Sequence, residues 1–234
     1  MTDKMCWICT SEKADSGEHI IIKSILDKVF GDLNTGEKRY LGNTNGNRNT
    51  PIKSHKRNNH LKFNNSICGN CNSSLTQEHD KSFALFIDKI FKSEQSIIRR
   101  EVIDLDTMTD NNTSTKTGVE LYFLKIFGCL LIENNITINE TVFNNIRHSI
   151  FKNKTLTRKV NVSFHRNLKK LELFGRNYVA QFSSFTESNI IWTIDISWLS
   201  INITYPIPVS EKEFGQNWIL GKDQKMIKLG RLIK

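Results

Sequence analysis

Four of the five cysteines stand as two pairs, Cys6 and Cys9 in "CWIC" and Cys68 and Cys71 in "CGNC". Four thiolates are the donor set that tetrahedral zinc prefers, and a spacing of two residues lets one tight turn aim both sulfurs of a pair at one ion. Gly69 suits such a turn. A redox dithiol needs one pair, not two, so the pattern reads as one structural zinc site. The fifth, Cys129, sits in an apolar run and reads as a small buried hydrophobe. Between the pairs lies "GEHIIIKS", which a structural zinc module does not require. An imidazole with an ordinary pKa near 6.5 can accept a proton at physiological pH, so His19 is a candidate general base. Glu18 beside it offers a carboxylate, and Gly17 before them makes a backbone bend cheap. Asn72, directly after the second pair, reads either as a helix cap or as an oxygen ligand. His79 and Asp80 follow two helical turns later and read as solvated surface, with support of a metal site as the alternative.

In order, "CWIC", "EHIIIKS" and "CGNCN" resemble the zinc-containing branch of the HNH endonuclease family, over about residues 5–83. The resemblance implies an α+β chain whose N-terminal part is a ββα-metal, treble-clef-like module held by the zinc. It implies His19 as general base, and Glu18 and Asn72 as ligands of a catalytic Mg²⁺ or Mn²⁺. It assigns Asn64 to the middle asparagine, which fixes the loop and the imidazole, with Asn65 as the other choice. Two departures stand out. Ile22 replaces the usual proline, and Asn72 stands where many members carry histidine. The activity implied is hydrolysis of DNA phosphodiester bonds, with RNA as the alternative substrate, in a microbial setting such as phage defence, a mobile element or restriction. An ATPase-like or other defence protein is the implied partner. Two rivals remain: a zinc module that binds nucleic acid without cleaving it, and an interaction subunit whose nuclease is silent until a partner activates it.

These residues need elements to position them. Phe83, Phe86, Ile87, Ile90, Phe91, Ile97 and Ile98 recur at helical spacing and predict a core-facing helix after the second cysteine pair. "VELYFLKIFGCLLIE" (119–133) predicts a second helix, apolar nearly all round and therefore buried on several sides. The segments "KVNVSFHR", "LELFGRNYVAQFSSF" and "IIWTIDISWLSINITYPIP" predict an antiparallel, β-rich C-terminal part. In the last, the period-two pattern changes phase near Trp198–Leu199, which predicts a bulge, bend or turn. The polar stretch 104–118 is the expected linker between a nuclease domain, 1–103, and a substrate- or partner-binding domain, 119–234. Residues 41–65 predict a long polar loop carrying Arg48, Lys53, Lys56, Arg57 and Lys62, with His55 and His60, either a phosphate-contacting flap or a solvated excursion.

Composition bounds the rest. The chain has 234 residues, 38% of them hydrophobic, with a formal net charge of +9. That is globular composition, and the charge favours a polyanionic partner. The charge is uneven: from Gly118 onward 16 Lys/Arg face 9 Asp/Glu, leaving 17 against 15 before it. No apolar run approaches the roughly 20 residues a membrane span needs, and "MTDKMCWICT" contains no secretory h-region. Reduced thiols in a cytoplasmic setting agree with the metal reading of the cysteines.

Overall fold

The computed structural model describes residues 4–30, 40–41, 50–51, 62–64, 66–174, 176, 178–186, 189–206 and 217–232. The N-terminal cysteine loop leads into helix α1 (Lys23–Phe30). Strands β1 (Tyr40–Leu41) and β2 (Thr50–Pro51) pair with each other antiparallel. A π-turn at Cys71–Leu75 opens the long helix α2 (Gln77–Lys92), followed by α3 (Glu94–Arg100). The expected first helix is thus broken at Ser93, whose backbone N–H still reaches Lys89 O at 2.9 Å.

Residues 104–118 hold structure of their own. Strand β3 (Val102–Asp104) ends there, α4 (Leu105–Met108) is capped by Asp104, and α5 (Thr113–Glu133) begins with Asn112 accepting from Ser114 N and Thr115 N. These side-chain acceptors satisfy N–H groups that have no partner within a helix. One apolar core runs from Cys6 through α2 and α5 to Leu229 and joins the segments on both sides of 104–118. Helix α5 is buried from Gly118 to Leu131, as its all-round apolar pattern requires. At Gly128 the reason for glycine is close approach, since a Cβ there would stand 2.3 Å from the Trp7 ring.

Helix α6 (Glu140–Lys152) follows, and then the sheet: β4 (Asn161–Asn167), helix α7 (Leu168–Phe174), β5 (Tyr178–Phe185), β6 (Ile190–Ile196), β7 (Leu199–Tyr205), β8 (Trp218–Ile219), β9 (Met226–Lys228) and β10 (Gly230–Leu232). The main sheet runs β10-β4-β7-β6-β5-β1-β2, with β8 also on β4, while β9 pairs with β3. Its central ladder, β4 to β7 to β6 to β5, is antiparallel. The phase change at 198–199 is a tight turn. Ile196 pairs with Leu199, and Ser197 takes φ 54° between them. "LELF" is helical in α7 rather than extended.

The sheet has two contrasting faces. Val162, Phe164, Ile194, Ile201 and Ile203 point toward the helices and the core. On the opposite face Ser163, His165, Asp195, Ser200 and Asn202 are buried as well. Asp195 accepts from Ser200 Oγ and pairs with Lys170 of α7, which lies against this face. The alternation legible in the strands is therefore apolar against buried polar. No helix among the described residues is long and apolar enough to cross a membrane.

Candidate functional site

The cysteines meet first. The Sγ atoms of Cys6, Cys9, Cys68 and Cys71 all lie within 4.8 Å of one another, so the four thiols can hold a zinc ion. Each pair forms its own turn. Thr10 N donates to Cys6 O at 2.8 Å in the first, and Cys71 N donates to Cys68 Sγ at 3.4 Å in the second. Cys9 and Cys68 bring the turns together, Sγ to Sγ at 3.8 Å. Asp15 Oδ1 accepts from Gly69 N at 3.0 Å and ties the loop after the first pair to the second turn. Burial pushes the Cys68 thiol up to about 11 and raises Cys71 further. Burial acts the same way on Cys9, but hydrogen bonds from Ser11 and Glu12 outweigh it and bring that thiol down to about 6.

From this cluster a short strand-like ladder carries the Glu-His pair. Ser16 N donates to Ile67 O at 3.0 Å, Phe63 N donates to Glu18 O at 2.8 Å, and His19 bridges Lys62. Gly17 is needed here for close approach, because a Cβ would stand 3.0 Å from Phe63 O. Among the described residues the ladder consists of single bridges, at Ser16–Ile67 and His19–Lys62.

Glu18 and His19 diverge, as neighbours in an extended segment must. Glu18 turns inward and is 3% exposed. Its Oε1 accepts from Lys125 Nζ at 3.0 Å, and the same ammonium pairs with Asp80 and reaches Thr76 Oγ1 at 3.5 Å. Burial raises the Glu18 carboxyl, with Lys125 opposing it. Burial likewise works against the charge on Lys125, but Glu18 and Asp80 outweigh it and hold the ammonium above its ordinary value. His19 is half-buried, and its Nε2 is enclosed with no hydrogen-bond partner among the described residues. Burial first, then Lys62 and Lys125, lower its pKa to about 4, so the ring is neutral at physiological pH.

The asparagines occupy different places. Asn72 lies in the π-turn, and its Nδ2 donates to Ser16 Oγ at 2.8 Å, two residues before Glu18. Asn64 is exposed and turned to the end of α5, its Nδ2 donating to Glu133 Oε1 at 2.5 Å. Asn65 and the basic residues and histidines of 48–60 lie outside the described residues. His79 is buried against Asn153, Nε2 to Oδ1 at 3.0 Å, and is not surface. Asp80 is half-buried on Lys125.

Lys125 is the residue that sequence reading missed. Its signal was present: one lysine inside "VELYFLKIFGCLLIE", where a cation can be buried only if carboxylates meet it. No protein-family model, curated protein or solved structure matches the chain.

The residues differ in how well they fit metals. The four thiols suit zinc by number, proximity and softness. Of the two oxygen donors that the resemblance implies for a divalent ion, Asn72 has its Nδ2 on Ser16, and Glu18 is buried, with Oε1 on Lys125 and its carboxylate also accepting from the His19 backbone N–H.

Proposed function

We propose that this chain is a metal-dependent endonuclease of the HNH kind that hydrolyses phosphodiester bonds of DNA. One observation carries the reading: a neutral histidine, its enclosed Nε2 without a partner among the described residues, stands on a segment pinned to a four-thiol cluster. A catalytic base must be deprotonated and held in position, and His19 meets both conditions. His19 would take the proton of the attacking water. Glu18 and Asn72 would hold the divalent ion, whose contribution when bound is charge stabilisation at the phosphate and leaving oxygens. Asn72 also fixes Ser16, and with it the entry to the Glu18–His19 segment. Asn64 would brace the facing strand through Glu133. Zinc would keep the two cysteine turns, and so these groups, in register. An ATPase-like or other defence protein as activating partner belongs to the same proposal.

The test is incubation of the purified protein with supercoiled plasmid and Mg²⁺ or Mn²⁺, with and without EDTA, beside His19→Ala. Metal-dependent nicking by the wild type is expected, with His19→Ala at least about 100-fold slower, the lower range for loss of a positioned base. Its zinc content and melting temperature should stay at wild-type values. Unchanged cleavage by His19→Ala would remove the assignment, and loss of zinc by that variant would make His19 part of the scaffold.

A further inference from the structure

A cleft of about 810 Å³ opens between the start of α6, the segment 155–159 and the end of β7. Asn145, Thr155, Arg158, Lys159 and Tyr205 line it together with the apolar Val142, Leu156 and Pro206, and among the described residues no carboxylate is in the lining. Arg158 and Lys159 are exposed, and among the described residues neither makes an ion pair. They sit in an unusually one-signed stretch: between Glu140 and Glu172 the chain has eight Lys/Arg and no Asp or Glu.

The backbone that carries the two cations is anchored to the fold. Thr157 is buried, and its Oγ1 accepts from Lys159 N at 3.3 Å. Thr155 Oγ1 donates to Glu120 Oε2 at 2.6 Å, and Glu120 Oε1 accepts from Gly221 N at 3.1 Å. The acid beside Thr155 is thus turned into the fold and does not line the cleft. Across from the cations, the half-buried Tyr205 ring is backed by Phe127 at 6.2 Å between centroids. The cleft therefore combines paired cations, amide and hydroxyl hydrogen-bonding groups, and a supported aromatic face. Those are the three features that recognise a phosphate, a base edge and a base plane. Its volume lies in the range of small-molecule sites, about 300–1,000 Å³, which admits a nucleotide but not a duplex.

We propose that this cleft binds a phosphate-bearing nucleotide, either free or as a unit of a single strand, with Arg158 and Lys159 on the phosphates and Tyr205 against the base. The site is separate from the Glu18–His19 segment and does not depend on cleavage.

The test is fluorescence anisotropy of a labelled single-stranded oligodeoxynucleotide in EDTA over a range of salt, with free nucleoside monophosphate and triphosphate as competitors. Wild-type protein should bind. Replacing both cations by glutamine, Arg158→Gln with Lys159→Gln, should weaken binding at least about 10-fold. It should also lower the slope of log affinity against log salt by about 1.4, or about 0.7 for each phosphate of a single strand that is no longer neutralised. Tyr205→Ala should weaken binding about 10-fold with the slope kept, and Tyr205→Phe should bind as wild type, because stacking needs the ring and not the hydroxyl. Displacement of the oligonucleotide by the free compounds identifies a nucleotide site, and binding of the oligonucleotide without such displacement identifies a strand site. The proposal is overturned if the wild type binds neither probe, or if the double variant keeps affinity and slope. It is equally overturned if Lys169→Ala, on α7 outside the cleft, weakens binding as much as the double variant.

Discussion

Lys125 is a cation buried in the core between two carboxylates. It is 0% exposed, and its charge is met by Glu18 and Asp80 together. Removing one partner from a buried ionic cluster leaves the others desolvated and uncompensated, at a cost of about 3–5 kcal/mol. Lys125→Met is therefore expected to lower the unfolding free energy by about that amount in urea titrations, although methionine fills a similar volume. The double change with Glu18→Gln should cost less than the sum of the single changes, because the glutamine needs no cation. A strictly additive double variant would show that the pair is not coupled. Glu18→Gln bears on the nuclease reading too. If Glu18 and Asn72 hold a divalent ion, cleavage lost in Glu18→Gln and Asn72→Ala should partly return at high Mn²⁺, whereas cleavage lost with His19 should not.

At the level of elements, the two cysteine turns and α5 form one mechanical unit. The first turn places Trp7 against Gly128 so closely that a side chain on α5 would collide with the indole. Gly128→Ala should accordingly destabilise the fold by about 1–3 kcal/mol, the cost of overpacking a filled core, as read by thermal unfolding. Zinc adds to the same unit. Burial holds Cys68 and Cys71 protonated at neutral pH without an ion, so loading the cluster must expel their protons. Zinc titration followed by calorimetry in buffers of different ionisation enthalpy should report release of at least about two protons at pH 7, those of these two thiols. Cys68→Ser should lose zinc and melt at a lower temperature, since metal-binding free energy in such a module contributes to folding. Retention of both zinc and melting temperature by Cys68→Ser would exclude Cys68 as a ligand.

The molecule as a whole is built around a sheet with no simple solvent face, and this shapes its response to acid. His165 is buried on the polar face, with Nε2 2.9 Å from Ser163 Oγ, and burial lowers its pKa from 6.5 to about 4. As pH falls below about 6.5 the unfolded chain takes up this proton, while the folded chain does not until about pH 4. Stability attributable to His165 is therefore lost as pH falls through that window. His19 and His79, whose values burial also lowers, act in the same sense. Glu18 and Glu120, raised by burial, act in the opposite sense just above their ordinary values. The comparison of wild type with His165→Gln isolates one group from this balance. The melting temperature of the variant should fall less steeply between pH 7 and pH 4.5, and parallel curves would contradict the burial argument.

Much of this was legible in the sequence because it depends on local spacing. Two residues between cysteines, a Glu-His dipeptide, helical recurrence from Phe83 to Ile98 and period two from Trp192 to Ile203 are each set by neighbours along the chain. The convergence of the four thiols followed from donor chemistry alone, and the phase change at Trp198 already implied the turn. Other features arose from residues far apart. Lys125 meets Glu18 across 107 positions, and nothing near either residue names the other. Burial of the polar sheet face could not be read from alternation, because period two separates the faces of a strand without saying what covers each. Helix α7 and Lys170 settle that for Asp195. The polar stretch 104–118 looked like a linker because helix caps and linkers use the same residues. Asp104 and Asn112 serve as caps only because a shared core, running from Cys6 to Leu229, draws the flanking helices together.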